Sequence, residues 1–384
     1  MANPDTIRLA AVGDIALNGG YGDLLRQGKG HEVFAGVAPH FAGADLIIGN
    51  LEGPLTSAPS ASPPWRHTLH GDPGYAPVLR SAGFHVLSLA NNHMMDYGWP
   101  GVEETIEKIT AQGIQVVGAG KNLEEARRPI RVSVKGVNIS FLAYCGVPIT
   151  RPFHLYADVN KPGIAPLNCK WIIEDVLAAK KQSDMVVVIL HWGQEHVRYP
   201  APGQRRLARQ IIEAGADLII GHHPHVMQGI EKIRQGLVAY SLGNFTFAEE
   251  PWVGTDRNGV PFTMSMGLGE TSRRTTVLIF RIGKDGTFSS HEAIPAYLGR
   301  DLRVVADSNS ERINQLEQDS KFFHKPGYSF VWLGAMLKAR GAATSSQIGL
   351  GRGIWKRLHR VRFRHIREVF RTVGREWEQF RGLK

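Results

Sequence analysis

The sequence predicts an α/β protein whose strands pair largely in parallel. Short apolar runs of strand length alternate along the chain with segments in which apolar residues recur every three to four positions, the period of a helix. This alternation is typical of βα units, in which helices cover a parallel sheet. Hydrophobic residues make up 43% of the chain and charged residues 21%, which are the values of a globular protein with a full core.

The individual elements follow from local patterns, and the most strongly β-branched run is Asp184-Met-Val-Val-Val-Ile-Leu190. Strands are predicted at residues 7–13, 45–49, 86–90, 115–118, 130–134, 138–144, 184–190, 218–220, 237–242 and 276–282. Helices are predicted at residues 77–82, 101–112, 170–181 and 204–214. The Pro- and Ser-rich residues 54–72 are predicted to be a lid or substrate loop, and the Gly-rich residues 247–274 a flexible flap.

Side chains that can bind a metal or exchange a proton follow six of the predicted strands. Because ligands of open α/β sheets bind at the carboxyl ends of the strands, we expect these side chains to meet if the strands share a sheet. One Asp or His at a strand end is more typical of a turn or cap, but six such strand ends favour a functional site. The residues are Asp14, Asn50, Glu52, Asn92, His93, His191, His223, His225 and Asn244.

The densest of these strand ends is Gly221-His-His-Pro-His225. Pro224 has a fixed φ and therefore stiffens the turn that holds His223 and His225. Neutral imidazole is the commonest metal ligand in proteins, so this His pair predicts half of a metal site. A His-rich surface turn is the alternative interpretation.

Six motifs along the chain together resemble the CapA family of capsule and poly-γ-glutamate biosynthesis proteins, which is similar to the calcineurin-like metallophosphoesterases. The resemblance covers about residues 7–300. It implies a four-layer α/β/β/α sandwich with a metal site between the two sheets. The motifs are Val12-Gly-Asp14, Gly49-Asn-Leu-Glu-Gly-Pro-Leu55, Ala90-Asn-Asn-His-Met-Met-Asp-Tyr-Gly98, His191-Trp-Gly-Gln-Glu195, Gly221-His-His-Pro-His225 and Tyr240-Ser-Leu-Gly-Asn-Phe245.

The resemblance implies a set of metal ligands, and two departures from the phosphoesterase pattern limit it. Ala16 stands where a phosphoesterase has a His, and Asn50 stands where it has a bridging Asp. Since two cations close together need anionic ligands, we expect one ion, and nitrogen and oxygen ligands fit Mn, Fe or Zn. The implied ligands are Asp14, Asn50, Glu52, Asn92, His191, His223 and His225.

A metal-dependent hydrolase is the first functional hypothesis. A bound ion would activate water, and His93 would protonate the leaving group as the general acid. The predicted substrate is anionic: a phosphoester, or a γ-glutamyl or peptide polymer. Arg66, His67 and Asn244 are the candidate substrate-binding residues, with Lys121 as a further loop candidate. Solvated loop residues are the alternative for Arg66, His67 and Lys121.

Two other hypotheses need no metal. An Asp and a His that face each other across a pocket can move a proton on and off an acidic carbon, as in an isomerase or a peptide epimerase. Asp14 would be one base, and His93 or His291 would be the other. The last hypothesis is a non-catalytic subunit of polymer synthesis that binds an anionic chain.

The predicted domains are residues 1–300, which carry the resemblance, and a basic, mainly helical extension of residues 301–384. Residues 338–384 contain 13 basic and 3 acidic residues, an excess that equals the +10 net charge of the whole chain. Apolar residues within 352–384 recur at helical spacing opposite the arginines. Such a helix suits an anionic membrane surface, while packing on the body is the alternative. Nucleic acid is not an expected partner, because no recognised binding module accompanies the charge.

Neither a signal peptide nor a membrane span is predicted. The N-terminus lacks a basic region followed by an apolar one, and no stretch approaches eighteen apolar residues. Cys145 and Cys169 show no zinc-binding or redox spacing, so we expect both to be reduced. We therefore expect a cytoplasmic protein, peripheral at the inner face of the membrane if the C-terminal helix binds there.

Overall fold

A computed structural model describes residues 6–148, 153–256, 258–307 and 310–348 of the chain. Two large β-sheets pack face to face, and helices cover the outer face of each, which confirms the predicted four-layer α/β/β/α sandwich. The strands are β1 (Ile7–Ile15), β2 (Leu46–Leu51), β3 (Val86–Ser88), β4 (Gln115–Val117), β5 (Ala119–Gly120), β6 (Ile130–Val134), β7 (Val137–Cys145), β8 (Gly163–Ile164), β9 (Met185–His191), β10 (Leu218–His222), β11 (Met227–Ile233), β12 (Gly236–Leu242), β13 (Asn244–Thr246), β14 (Glu250–Thr255), β15 (Pro261–Met266), β16 (Arg274–Ile282), β17 (Phe288–Leu298) and β18 (Val304–Ala306).

Helices connect most of the parallel strands. Short 3₁₀ helices at Gly30–Val33 and Glu270–Arg273 add to them. The α-helices are α1 (Gly20–Arg26), α2 (Ala38–Phe41), α3 (Tyr75–Ser81), α4 (Gly98–Ala111), α5 (Leu123–Arg127), α6 (Cys169–Lys180), α7 (Pro202–Glu213), α8 (Ser310–Phe322) and α9 (Tyr328–Ile348). Among the described residues, none of these helices is both long and apolar enough to cross a membrane.

The first sheet has eight strands in the order β18-β17-β16-β1-β2-β3-β4, with β13 beside β1. Strands β1 to β4 run parallel, whereas β16, β17 and β18 add an antiparallel half. The second sheet has the order β11-β12-β10-β9-β7-β6, and its four central strands are parallel. The carboxyl ends of the parallel strands therefore form an edge in each sheet.

Side chains of the second sheet alternate between two apolar cores, as the period of a strand requires. Phe141 and Val187 face the first sheet, whereas Leu142 and Val188 face the outer helices. Helix α7 begins at Pro202, which suits the first turn, and Gln204 caps it by accepting a hydrogen bond from the backbone N–H of Ala201 (2.8 Å). Fully burying each large aliphatic side chain stabilises the fold by about 1.5–3 kcal/mol.

The chain that leads from β12 of the second sheet into β13 of the first runs along the backbone of β1. The N–H of Asp14 donates to the carbonyl oxygen of Gly243 (2.9 Å), and the N–H of Ala16 donates to that of Thr246 (2.9 Å). A Cβ atom at Gly13 would lie 2.0 Å from the oxygen of Gly243, so only glycine allows this approach. We call this contact the seam.

Residues 247–274, predicted to be a flexible flap, contain the antiparallel hairpin β14–β15. The backbone N–H of Thr255 in this hairpin donates to the carbonyl oxygen of Pro64 (3.3 Å), in the predicted lid at 54–72. Within the described residues, the lid loop and the hairpin thus contact each other. We call these two segments, residues 60–68 and β14–β15, the roof.

Residues on both sides of position 300 share one packed body. Strand β18 completes the first sheet, and α8 packs on β11, where Ser320 Oγ accepts from the N–H of Ile230 (2.9 Å). Arg198 forms a bidentate ion pair with Asp319 of α8. The predicted membrane-binding segment 352–384 lies outside the described residues.

Candidate metal centre

Strand ends from both sheets converge on one buried pocket. The strand-end pattern in the sequence predicts that these side chains meet, but it does not indicate which strand belongs to which sheet. Asp14 lies opposite Asn50 in β2 and opposite Asn244 in β13, while His191 of β9 lies opposite His222 of β10. The pocket therefore lies where the carboxyl-end edges of the two sheets meet.

Asp14 is a buried carboxylate that has several hydrogen-bond donors. Asn50 Nδ2 donates to its Oδ1 (2.9 Å), and the backbone N–H of His223 donates to its Oδ2 (3.2 Å). His222 Nδ1 lies 3.1 Å from Oδ1. Burial acts to raise the pKa of Asp14, but the neighbouring histidines His222, His191 and His225 outweigh burial and hold this pKa below its ordinary value.

Glu52 is equally buried, but neither of its carboxylate oxygens has a hydrogen-bond partner. The nearest imidazole nitrogens are His225 Nε2 at 3.6 Å and His191 Nε2 at 3.8 Å from Oε1. Burial, and after it the charge of Asp14, raises the pKa of Glu52 well above its ordinary value. A buried carboxylate without donors is costly unless a cation pairs with it.

The three predicted histidine ligands present nitrogen atoms to the same space. His223 has a positive φ of 93°, and its Nδ1 has no hydrogen-bond partner. His225 Nδ1 donates a hydrogen bond to Asn244 Oδ1 (2.8 Å), which leaves Nε2 available. Burial lowers the pKa of His191 well below its ordinary value and that of His223 to about 4, so both rings are neutral at pH 7, the form that binds metals.

The donor atoms fit a divalent cation. They form three groups, within each of which the ligand atoms lie within 4.8 Å of one another: Glu52, His191 and His223; Asp14, Glu52 and His225; and Glu195, His223 and His225. The oxygens of Glu52 and the Nδ1 of His223 have no protein partner, as expected of atoms whose partner is an ion. Oxygen and imidazole donors without thiolate suit Mn, Fe or Zn.

The two asparagines predicted as ligands have other contacts. Asn50 directs its amide nitrogen, which is not a metal ligand, to Asp14 and lies 3.2 Å from His191 Nδ1. Asn92 Oδ1 lies 2.7 Å from His191 Nε2. Asn50 thus orients Asp14, and Asn92 orients His191.

His93 lies beside the pocket and is hydrogen-bonded to Asp96. Its Nδ1 lies 2.6 Å from Asp96 Oδ2, and the backbone N–H of Leu69 donates to the same oxygen (3.0 Å). Arg66 Nε donates to Asp96 Oδ1 (2.9 Å), and the guanidinium lies over the ring of Phe153 at 4.2 Å. The predicted substrate-binding Arg66 is therefore engaged by the protein and supports Asp96.

The other predicted site residues fall into three environments. His67 lies at the mouth, with ring centroids 6.0 Å from His93 and 5.8 Å from Trp252 of the roof. Asn244 is fully buried and binds His225 and the carbonyl oxygen of Ser272, so it supports a ligand rather than facing substrate. His291 is exposed on β17. It lies opposite Phe280 of β16, which lies opposite Leu9 near the start of β1, so the structure does not bring His291 to the pocket.

Sequence reasoning did not assign Glu195, His222 or Asp96 to the site. Glu195 lies four residues after the predicted ligand His191, and Asp96 three residues after His93. His222 stands directly before His223. Each of the three lies in the same family motif as a predicted site residue, and this proximity could have identified it.

Comparisons with a family model and with individual relatives assign the chain to the same family. The sequence model described as "Bacterial capsule synthesis protein PGA_cap" matches residues 8–249, so the predicted CapA resemblance is confirmed. The "PGA biosynthesis protein CapA" of Bacillus subtilis is 34% identical over 333 residues, 84% of this chain and 80% of that protein. The "Capsule biosynthesis protein CapA" of Bacillus anthracis is 32% identical over 258 residues, 65% of this chain and 62% of that protein.

Solved structures resemble the chain at low sequence identity. A structure described as a novel phosphatase from Mycoplasma pneumoniae matches with a TM-score of 0.46 at 13% identity, covering 82% of this chain and 98% of that one. A 5'-nucleotidase precursor from Thermus thermophilus matches with a TM-score of 0.41 at 14% identity, covering 88% of this chain and 59% of that one.

Proposed function

This chain belongs to the bacterial capsule synthesis family PGA_cap, and we propose that it is a metal-dependent hydrolase acting on an anionic substrate of capsule or poly-γ-glutamate-type polymer synthesis. The observation that carries the proposal is the group of buried donors without protein partners, next to a His–Asp pair. The relative from Bacillus subtilis, a PGA biosynthesis protein by name, supports the polymer context.

Asp14, Glu52, His191, His223 and His225 would hold the cation. When bound, a divalent ion lowers the pKa of a water ligand and polarises the oxygen of the bond to be cleaved. The asparagine side chains that contact these ligands fix their orientation, which is the usual role of residues that touch ligands rather than the ion.

His93 is the residue that would transfer a proton. Because Asp96 lies 2.6 Å from its Nδ1, that nitrogen carries a hydrogen and Nε2 is left to exchange a proton with the leaving group. Asp96 is buried and bonded to Arg66 and Leu69, so the imidazole is held in one orientation. Asp96 is therefore a positioning residue.

A cavity of about 560 Å³ lies between the two segments of the roof, and the ring centroid of His67 in its wall is 6.0 Å from that of His93. Among the described residues that line it, Arg66 is the only lysine or arginine, and Asp96 already pairs with it. Burial, with the nearby charge of His93, lowers the pKa of His67 to about 4, so this wall residue is neutral at pH 7. We infer that the anionic group of the substrate binds at the metal centre, and that the roof contacts uncharged parts.

The metal-independent isomerase has weaker support from the geometry. Its second base would be His93 or His291, and His291 lies away from the pocket on an exposed strand. Asp14, its first base, receives hydrogen bonds from Asn50 and His223 and has a lowered pKa, which makes it a weak base.

The test uses full-length protein purified without chelator. We expect Mn, Fe or Zn in the protein by elemental analysis, and metal-dependent hydrolysis within a panel of phosphomonoesters, phosphodiesters, γ-glutamyl peptides and poly-γ-glutamate. His223→Ala should lose metal and activity, whereas the matched control His291→Ala should keep both. A wild-type protein that binds none of these metals when they are supplied, or binds metal but hydrolyses nothing in the panel, would contradict the proposal.

A further inference from the structure

We propose that the lid loop, residues 54–72, belongs to the proton-transfer machinery, and that Arg66 is a positioning residue that holds His93 in place through Asp96. The inference rests on the function proposed above, in which His93 transfers a proton to the leaving group. It gives Arg66, which the sequence predicts to bind substrate, a different role. A segment of the roof thereby takes part in catalysis.

Apart from His93, the residues that hydrogen-bond the buried carboxylate of Asp96 in the described chain belong to the lid loop. Arg66 Nε (2.9 Å) and Ser62 Oγ (3.4 Å) donate to Oδ1, and the backbone N–H of Leu69 (3.0 Å) donates to Oδ2. His93 Nδ1 lies 2.6 Å from the same Oδ2. Because both oxygens are occupied, the carboxylate is held in one orientation, and that orientation sets the direction of the bond to His93.

The lid loop also holds the backbone of the turn that carries His93 and Asp96. The N–H of Ala61 donates to the carbonyl oxygen of Asp96 (3.0 Å). A second nitrogen of Arg66, Nη2, donates to the carbonyl oxygen of Asn92. The turn is thus fastened to the loop on both sides of His93 in the sequence, so the position of the ring depends on the loop.

Arg66 is held in place by the protein. Its guanidinium lies over the ring of Phe153, 4.2 Å from the centroid, and only 20% of the side chain is exposed. Among the described residues, Arg66 is the only lysine or arginine that forms an ion pair with Asp96. Removing one partner of a buried ion pair leaves the other charge uncompensated, which is strongly unfavourable. Turning Arg66 toward a substrate anion would leave Asp96 in that state, so the charge of Arg66 serves the His93–Asp96 pair.

Ser62 and Arg66 also line the cavity between the two segments of the roof. A substrate that extends from the metal centre into this cavity lies against the residues that hold Asp96. Proton transfer requires the donor within hydrogen-bond reach of the leaving group, and a misplacement of about 1 Å can lower a rate by about 10²-fold. The loop that shapes the cavity thus also determines whether His93 reaches the leaving group.

The first experiment observes the His93 ring without using activity. Full-length protein labelled with ¹⁵N-histidine is examined by ¹H–¹⁵N NMR in chelator. Because the bond to Asp96 keeps a hydrogen on Nδ1 and slows its exchange with water, wild type should show a downfield ring N–H signal, which His93→Gln identifies by its loss. Arg66→Gln should remove or shift this signal, whereas the matched control Arg26→Gln, at an exposed arginine paired with Asp23, should leave it unchanged.

The second experiment measures hydrolysis of paired substrates that differ in their leaving group. For the bond that wild type cleaves, a nitrophenyl ester or nitroanilide has a leaving group that needs little protonation, and the alkyl ester or amide has one that needs it. Arg66→Gln should lower kcat by about 10–10²-fold for the alkyl substrate and by less than about threefold for the nitro-substituted one, with KM and metal content unchanged. In a His93→Ala background it should have no further effect, because the two residues act as a unit.

A ring signal that is missing in wild type, or unchanged in Arg66→Gln, would overturn the proposal. So would a raised KM with unchanged kcat, or a loss that adds to that of His93→Ala, because Arg66 would then bind substrate. A signal that depends on Arg66, in a wild type that hydrolyses nothing, would support the positioning of His93 but contradict the proposed function. Circular dichroism in chelator shows whether each variant is folded. If Arg66→Gln is unfolded, Arg66→Lys takes its place, since it keeps the charge but loses the two-nitrogen contact.

Discussion

Replacing Glu52 by Gln should not destabilise the metal-free protein, but it should reduce the stability that the protein gains from metal. Burial and the charge of Asp14 raise the pKa of Glu52 well above its ordinary value, so the metal-free folded state favours the protonated side chain. Gln has nearly the shape of protonated Glu and the same lack of charge. A residue with a purely structural role would instead show the same change in both states.

The magnitudes follow from mass action. In chelator near pH 4, where the unfolded chain also holds most of the proton on Glu52, the free energies of unfolding of wild type and variant should agree within about 1 kcal/mol, because neither neutral side chain has a hydrogen-bond partner. With metal at 100 times the wild-type dissociation constant, wild type gains about 2.7 kcal/mol. A variant that binds about 100-fold more weakly gains only about 0.4 kcal/mol. At a given pH, the gain in stability on adding metal should therefore be about 2 kcal/mol larger for wild type than for the variant.

The assay is urea denaturation of both proteins, in chelator and in Mn²⁺, at several pH values. The folded metal-free wild type holds a proton on Glu52 that the unfolded chain releases above about pH 4.3. Its free energy of unfolding should therefore fall relative to Glu52→Gln as the pH rises above that value. A variant that is several kcal/mol less stable than wild type in chelator, with an unchanged response to Mn²⁺, would refute this reasoning.

Two further predictions concern the residues at the mouth. His93→Ala should lower turnover by about 10²–10⁴-fold with unchanged metal content by elemental analysis, because the general acid is lost; a fall in metal content would make His93 a ligand instead. The folded state resists protonation of His67, whose pKa burial and His93 lower from 6.5 to about 4. Wild type should therefore lose up to about 3 kcal/mol of stability relative to His67→Gln as the pH falls from 6.5 to 4, measured by urea denaturation, and a constant difference across this range would contradict the assignment.

The sequence could predict which residues meet because strand ends obey a simple rule. Apolar runs before Asp14, Glu52, His191 and His223 identify buried parallel strands, and the carboxyl ends of such strands lie at one edge. Periodicity also located the major helices, including α6 and α7, to within a few residues. Local patterns were sufficient here because each element buries a continuous apolar face.

The sequence could not predict the partners of polar side chains. Arg66 looked free for substrate because nothing local shows that Asp96, thirty residues later, accepts its hydrogen bond. Asn50 looked like a ligand because sequence does not reveal which end of an amide faces the pocket. His291 follows a strand-like pattern on β17, but its level along the sheet depends on the antiparallel register with Phe280, which only the folded chain defines.

The seam has a consequence for how such proteins can diversify. Since the backbone of Gly13 in β1 packs against Gly243, which links β12 of the second sheet to β13 of the first, the floor of the pocket beside Asp14 tolerates little change in spacing. The roof is built from a loop and a hairpin that carry none of the floor's donors, so its length and side chains can vary without moving them. Residues 60–68 and the β14–β15 hairpin could therefore be changed, in evolution or by design, without altering the proposed metal ligands.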